Sequence, residues 1–351
     1  MTRLQKLLLA FSLLSLPPAT AMMSTGPADP LPVRGLAIAA PAPDGVGEFI
    51  TFMEDELAPR RVNTLVLRVD YNFEYTSHPE LRSENPLTRE QVRQLADKAE
   101  ELGIEIIPQV NLLGHQSWHG SVGKLLEVYP EFDETPGIEL PEEYEWPNED
   151  GLYCKSYCPL HPEVHRIVFA VVDELMEAFG ARAFHAGMDE VFYIAHPDCP
   201  RCAGQDPARL FANEVTRIRD HLAEQGRTLW IWGDRLIDGR ATGIGEWEAS
   251  INNTHRAIGW IPRDVVICDW HYERAEPTAA LFALEGLSVV TCPWREPEVA
   301  LAQLEQTRLM RENSNEALSG RFLGMMQTVW TPAHRFIGKI NTGATGGEAG
   351  D

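Results

Sequence analysis

After residue 21 this sequence has no apolar run approaching the ~20 residues that a membrane-spanning helix needs. It is also short of positive charge. Thirty lysines and arginines stand against 52 acidic residues, a formal net charge of −22 at pH 7. So anionic a chain repels a phosphate backbone, which sets nucleic acid aside as a partner, and most of these acids serve simply to keep the surface solvated. There is no internal repeat and no long linker, so neither a solenoid nor a string of modules is expected. Gly45-x-Gly47 falls short of the Gly-x-Gly-x-x-Gly fingerprint of a dinucleotide fold. Tight His-x-His and His-Glu-x-x-His spacings are missing as well.

What is present starts with a basic residue pair, Arg3 and Lys6, then an apolar run over 7–16, Pro17-Pro18 and the small-residue site Ala19-Thr20-Ala21. This reads as a secretory signal peptide over 1–21, which implies a secreted or periplasmic protein with no membrane span after cleavage. A linker over 22–32, one domain over 33–340 and a flexible tail over 341–351 follow from the Pro/Gly/Ala-rich ends. Four of the six cysteines form two local pairs, Cys154-x3-Cys158 and Cys199-x2-Cys202. In an oxidising compartment these suit disulfides, and their short spacings also suit a structural zinc. Cys268 and Cys292 lie inside apolar runs and read as buried thiols.

Between the ends, β-rich apolar runs at 34–39, 63–69, 104–110, 183–188, 228–232, 265–268, 287–292 and 322–329 alternate with helical patterns. Thr88-x-x-Gln91 is a capping box opening a helix that closes at Leu102-Gly103, and other helices close at Gly180, Gly226 and Gly286. Eight strands alternating with helices predict an α/β chain folded as a single (β/α)8 TIM barrel.

In such barrels chemistry collects at the carboxyl ends of the strands. Those ends here carry Asp70, Asn111, Asp189 with Glu190, Asp234, Asp269 with Trp270, Trp294 and Trp330. Trp232 closes the fifth run. Flat indoles beside carboxylates suit a sugar, whose C–H faces stack on rings while its hydroxyls bond to acids and amides. Adjacent carboxylates enter one pocket only where a strand ends, and crowding two of them leaves one protonated and ready to donate. His185 precedes its strand end and reads as a hydrogen-bonded structural residue.

The stretch from Tyr157-Cys158-Pro159 to His185-Ala186-Gly187-Met188-Asp189-Glu190-Val191 resembles family 20 glycoside hydrolases, the β-N-acetylhexosaminidases. So do Gly103-Ile104-Glu105-Ile106-Ile107-Pro108, Gly114-His115, Arg34-Gly35-Leu36, Trp232-Gly233-Asp234 and Val329-Trp330. The resemblance implies a carbohydrate substrate containing N-acetylhexosamine, whose own 2-acetamido oxygen attacks the anomeric carbon. It implies Glu190 as general acid and base, Asp189 orienting the acetamide, and His115 with Asp70 as a relay tuning Glu190. Arg34, Trp232, Asp234, Trp270, Trp294 and Trp330 would bind the sugar. Neither a cofactor nor a metal is implied at the catalytic pair.

The sequence also departs from that family. Met188 stands for a second glycine, Gln109 and Asn111 for acidic residues, and Leu113 for a proline. Thr331-Pro332 replaces an acid that grips outer hydroxyls, and no acetamide-binding tyrosine is evident near Trp294. Two other readings use the same residues. One is a metal-dependent barrel hydrolase holding an ion with His115, Asp189, Glu190, Asp234 and His271; the other is a glycan-binding barrel without catalysis. The segment over 118–157 is expected to overhang the site.

Overall fold

The eight apolar runs become eight parallel strands in the computed structural model, which describes residues 31–118, 120–140 and 154–343. They are β1 Val33–Ala39, β2 Thr64–Arg68, β3 Glu105–Leu112, β4 Ala183–Gly187, β5 Thr228–Trp232, β6 Val266–Trp270, β7 Ser288–Cys292 and β8 Phe322–Thr328. Each pairs with its neighbours in the chain, and β1 pairs with β8, Leu36 opposite Gln327, so the sheet closes into the expected (β/α)8 barrel. The segments read as signal peptide, most of the linker and most of the tail lie outside the described residues. Among the described residues no helix is long and apolar enough to cross a membrane.

Period-two alternation divides the strand side chains between two cores. Ala37, Val66, Ile107, Val266, Val290 and Met326 point inward and fill the barrel. Leu36, Ile38, Leu65, Leu67 and Ile106 point outward into the layer under the helices. That outer layer contains α1 Val46–Phe52, α2 Arg89–Glu101, α3 Val164–Phe179, α4 Pro207–Ala223, α5 Thr278–Leu284, α6 Pro297–Asn313 and α7 Ala333–Thr342. The capping box forms as read, with Thr88 Oγ1 accepting from Gln91 N, and α2 buries Val92, Leu95 and Ala99 at helical spacing. Between β5 and β6 the chain makes a four-residue helix, Gly239–Thr242, and a 3-10 turn, Thr254–Gly259.

The loop after β2 is fastened to α3 by one buried carboxylate. Glu174 accepts from the backbone N–H groups of Thr76 and Ser77 at 2.7 and 2.9 Å, and pairs with Arg89 at 3.1 Å. Burial works against the ionised form, but these hydrogen bonds outweigh it and bring the Glu174 carboxyl down to about 2. A depressed folded-state pKa means stability that is complete above the unfolded value and disappears as pH falls from about 4.5 to about 2. We expect Glu174→Gln to lower unfolding free energy by roughly 3 kcal/mol at pH 6, and the gap to shrink below about 1 kcal/mol by pH 2.5. Urea unfolding of both proteins across that range measures it; a gap independent of pH would refute the assignment.

Candidate active site

The carboxyl rim of the barrel is built from backbone that most side chains avoid. Asp70, Leu113, His115, Met188 and Glu190 all have positive φ, between 48° and 67°, and all follow β2, β3 or β4. Left-handed backbone at non-glycine residues costs energy and persists where packing imposes it, typically at functional sites. Gly187 and Met188, both at φ 67°, end the alternation of β4, so Asp189 and Glu190 do not diverge to opposite faces. Gly114 fits against this turn because it lacks a side chain: a Cβ there would lie 2.5 Å from the Asp189 carbonyl oxygen. Met188, the residue standing for a glycine, is fully buried in that turn.

Asp189 and Glu190 are 7% and 8% exposed, so each is largely stripped of water. His115 Nε2 lies 3.0 Å from Asp189 Oδ2 and 3.2 Å from Glu190 Oε2, bridging the pair. Burial favours neutral imidazole, yet the Asp189 charge and hydrogen bond prevail and hold His115 well above its ordinary pKa. The same pairing overcomes burial at Asp189 and keeps its carboxyl below the usual range. The imidazolium Nε2–H therefore donates to Asp189 Oδ2. The other oxygen, Asp189 Oδ1, is buried, and among the described residues no donor reaches it.

Asp70 stands one step away from this group. Its Oδ1 accepts from Asn111 N at 2.8 Å and Arg68 Nε lies 4.0 Å from its Oδ2, while no hydrogen bond links it to His115. Asp70 and His115, read as a relay tuning Glu190, lie close enough for the imidazolium charge to act on the Asp70 carboxyl through space. Burial raises the Asp70 carboxyl, with Arg68 opposing. The Nδ1 side of His115 faces the sulfur of Cys154 at 3.2 Å, and that sulfur is 3.7 Å from Glu190 Oε2. Burial pushes the Cys154 thiol up to about 12, so it meets both groups as a neutral S–H. Gln109 and Asn111 bond to each other at a register shift between β3 and β4, which aims Asn111 at Asp70.

Asp234 is buried beneath the pair. Its Oδ2 accepts from Glu190 N at 2.9 Å and from Arg235 Nε at 2.6 Å, and its Oδ1 from Trp270 Nε1 at 3.2 Å. Asp234, read as a sugar contact, here positions the Glu190 backbone and the Trp270 indole. Arg235 Nη2 also donates to the carbonyls of Glu246, Trp247 and Ala249, holding the following loop.

The four tryptophans do converge. Trp232 and Trp330 have ring centroids 5.8 Å apart, and Trp330 Nε1 donates to Tyr272 Oη at 2.8 Å. The Tyr272 ring lies 4.9 Å from Trp270 and 5.1 Å from Trp294. Arg68 lies over Trp330 at 5.1 Å, beside a groove of about 690 Å³ running past Asn72 and His334. His185, buried, accepts from Gly187 N and packs on Trp232, a structural use.

Three readings need correction. Arg34 is the second residue of β1, at the amino end of the barrel, where its guanidinium donates to the carbonyls of Arg61 and Leu31. Side chains that bind at the carboxyl rim are a strand length away, so Arg34 is not brought to the site. His271 does not join an ion-binding set with Asp189 and Glu190, because it bonds to Glu248 at 2.7 Å and Asp269 at 3.2 Å. The four paired cysteines do not form one group: Cys154 goes to His115, while Cys158, Cys199 and Cys202 gather around Glu134. Sequence reading also missed Arg235 and Tyr272, although they lie one and two residues beyond strand-end motifs. Of the segment over 118–157, residue 119 and residues 141–153 lie outside the description; its described ends reach the site through Trp118, stacked on His115, and Cys154.

The family model described as glycosyl hydrolase family 20, catalytic domain, matches residues 64–333. Hexosaminidase D of Bos taurus is 25% identical over 187 residues, covering 50% of this chain and 48% of that protein. A beta-hexosaminidase of Vibrio furnissii is 25% identical over 226 residues, covering 62% and 31%, and the lacto-N-biosidase of Bifidobacterium bifidum is 24% identical over 208 residues, covering 56% and 16%. The chain thus spans at most about half the length of these curated relatives. Among solved structures, that of a beta-N-acetylhexosaminidase superposes with a TM-score of 0.63 at 18% identity, covering 88% of this chain and 68% of that one. The chitobiase of Flavobacterium johnsoniae gives 0.62 at 17%, covering 85% and 44%. At such identity these likenesses speak to the fold.

Proposed function

Since this chain belongs to glycosyl hydrolase family 20, we propose that it hydrolyses N-acetylhexosaminides with the substrate's acetamide as the internal nucleophile. The observation that carries this reading is the buried, unsatisfied Asp189 Oδ1. A buried carboxylate oxygen without a donor is costly, and an acetamide N–H supplies the missing bond. His115 fixes the other oxygen, so the free one is aimed rather than mobile.

In the first step Glu190 gives its proton to the glycosidic oxygen as the C1–O bond breaks and the acetamide carbonyl oxygen bonds to C1. Asp189 accepts the acetamide N–H, which becomes more acidic as positive charge spreads over the forming ring, so the hydrogen bond strengthens toward the transition state. In the second step Glu190, now a carboxylate, takes a proton from water as its oxygen attacks C1 and the ring reopens. The group of Trp232, Trp270, Tyr272, Trp294 and Trp330 excludes water from the acetamide. Tyr272 Oη accepts from Trp330 and retains its own proton to donate to the acetamide oxygen. Trp294 Nε1, buried with no acceptor among the described residues, offers another donor.

Hydrolysis of chromogenic β-N-acetylglucosaminide and β-N-acetylgalactosaminide, each beside its 2-hydroxy analogue, tests the proposal. Turnover of the acetamido sugars should exceed that of the analogues by more than about 10³-fold, since the analogues lack the nucleophile. Comparable rates for both classes would exclude substrate assistance. Binding of acetamido sugars by folded protein without turnover would identify a glycan-binding barrel.

A further inference from the structure

The geometry points to a structural zinc site outside the catalytic group, formed by Cys158, Cys199, Cys202 and the carboxylate of Glu134. One donor atom from each of these four lies within 4.8 Å of all the others, and all four residues are completely buried. Cys158 and Cys202 sulfurs are 3.3 Å apart and those of Cys158 and Cys199 are 3.5 Å apart. Zn–S bonds of about 2.3 Å in a tetrahedron place sulfurs about 3.8 Å apart, close to this spacing, whereas a disulfide requires about 2.05 Å and leaves one of three thiols over.

Two further observations point to a cation. Glu134 Oε1 accepts from His196 N at 3.0 Å, while Oε2 is buried against the thiols of Cys199 and Cys202, and no nitrogen or oxygen among the described residues donates to it. A carboxylate oxygen left this way destabilises the fold unless a positive group meets it. In addition, a backbone N–H points at sulfur, that of Cys202 reaching Cys199 at 3.3 Å, an outer hydrogen bond of the kind that orients a metal-bound ligand. Three cysteine sulfurs and one carboxylate, all buried and converging within one coordination sphere, make four donors, the number and type that select zinc in a structural role.

The site would join the two loops that frame the catalytic pair. Cys158 adjoins Tyr157, whose N–H donates to the Leu113 carbonyl beside His115, and Cys154 on the same segment touches His115 itself. Cys199 and Cys202 lie in the loop that follows Asp189 and Glu190. This inference is independent of the proposed reaction, and its test reads metal.

Elemental analysis of the full chain, purified under reducing conditions and equilibrated with zinc, should find one zinc per chain after gel filtration through a chelator. Cobalt in its place should give the thiolate-to-cobalt charge-transfer and tetrahedral ligand-field bands. Cys199→Ser and Glu134→Ala should lose the metal in the same chelator, and Cys154→Ser should retain it. If Cys199→Ser fails to fold, Glu134→Ala and Cys154→Ser still decide the donor set. Wild type without zinc after this loading, a native Cys158–Cys202 disulfide in peptide mass maps, or loss of zinc from Cys154→Ser would each overturn the assignment.

Discussion

Glu190→Gln is expected to lower kcat/KM about 10²- to 10⁴-fold for an N-acetylhexosaminide whose leaving group is another sugar. The amide is nearly isosteric with the carboxyl group but has no proton to transfer, and an alcohol cannot leave as its anion without one. A 4-nitrophenolate leaves readily unprotonated, so for that leaving group the first step should lose far less. The difference between the two substrates is the diagnostic quantity, because a general electrostatic role for Glu190 would lower both alike. KM should change little, since the proton moves only at the transition state. Steady-state kinetics on a disaccharide and on the nitrophenyl glycoside of the same sugar give the split directly. Equal losses would assign the proton to another group, with the neutral Cys154 thiol, 3.7 Å from Glu190, first in line.

The barrel was legible because its signals are local. Each strand run is apolar over a few residues, and the helix ends carry their own punctuation, as at Thr88, Gln91 and Gly180. Asp189-Glu190 was legible for the same reason: two adjacent acids at the close of an apolar run predict a strand end, and the positive φ at Met188 and Glu190 is how the chain meets that demand. Arg34 shows where a motif misleads. It resembles a sugar-binding residue, yet chain direction alone puts the second residue of a strand at the wrong end of a parallel barrel. The cysteines could not be grouped from spacing, because Cys154 and Cys158 are near neighbours in sequence and belong to different clusters in space. Arg235 is only half legible: its ion-pair partner is the neighbouring Asp234, but the three backbone carbonyls it satisfies lie more than ten residues away, where sequence spacing gives no signal.

Those partners make Arg235→Met the substitution with the largest expected effect on stability. Arg235 and Asp234 are both completely buried and joined at 2.6 Å. Removing the guanidinium leaves the Asp234 carboxylate without its countercharge and frees three carbonyl groups that it now satisfies, a loss of about 3–5 kcal/mol for the broken pair. For a chain of this size that corresponds to a fall of about 4–8 °C in Tm. Activity should fall too, because Asp234 also holds the Glu190 backbone at 2.9 Å and the Trp270 indole at 3.2 Å. A double-mutant cycle separates the causes: Asp234→Asn with Arg235→Met removes the stranded charge, and should recover part of the Tm lost in Arg235→Met alone. Calorimetry of wild type, both single variants and the double variant provides the comparison. A double variant no more stable than Arg235→Met would place the cost in the loop carbonyls of residues 246–249. An Arg235→Met protein melting with the wild type would mean that this ion pair supports neither the fold nor the position of Glu190.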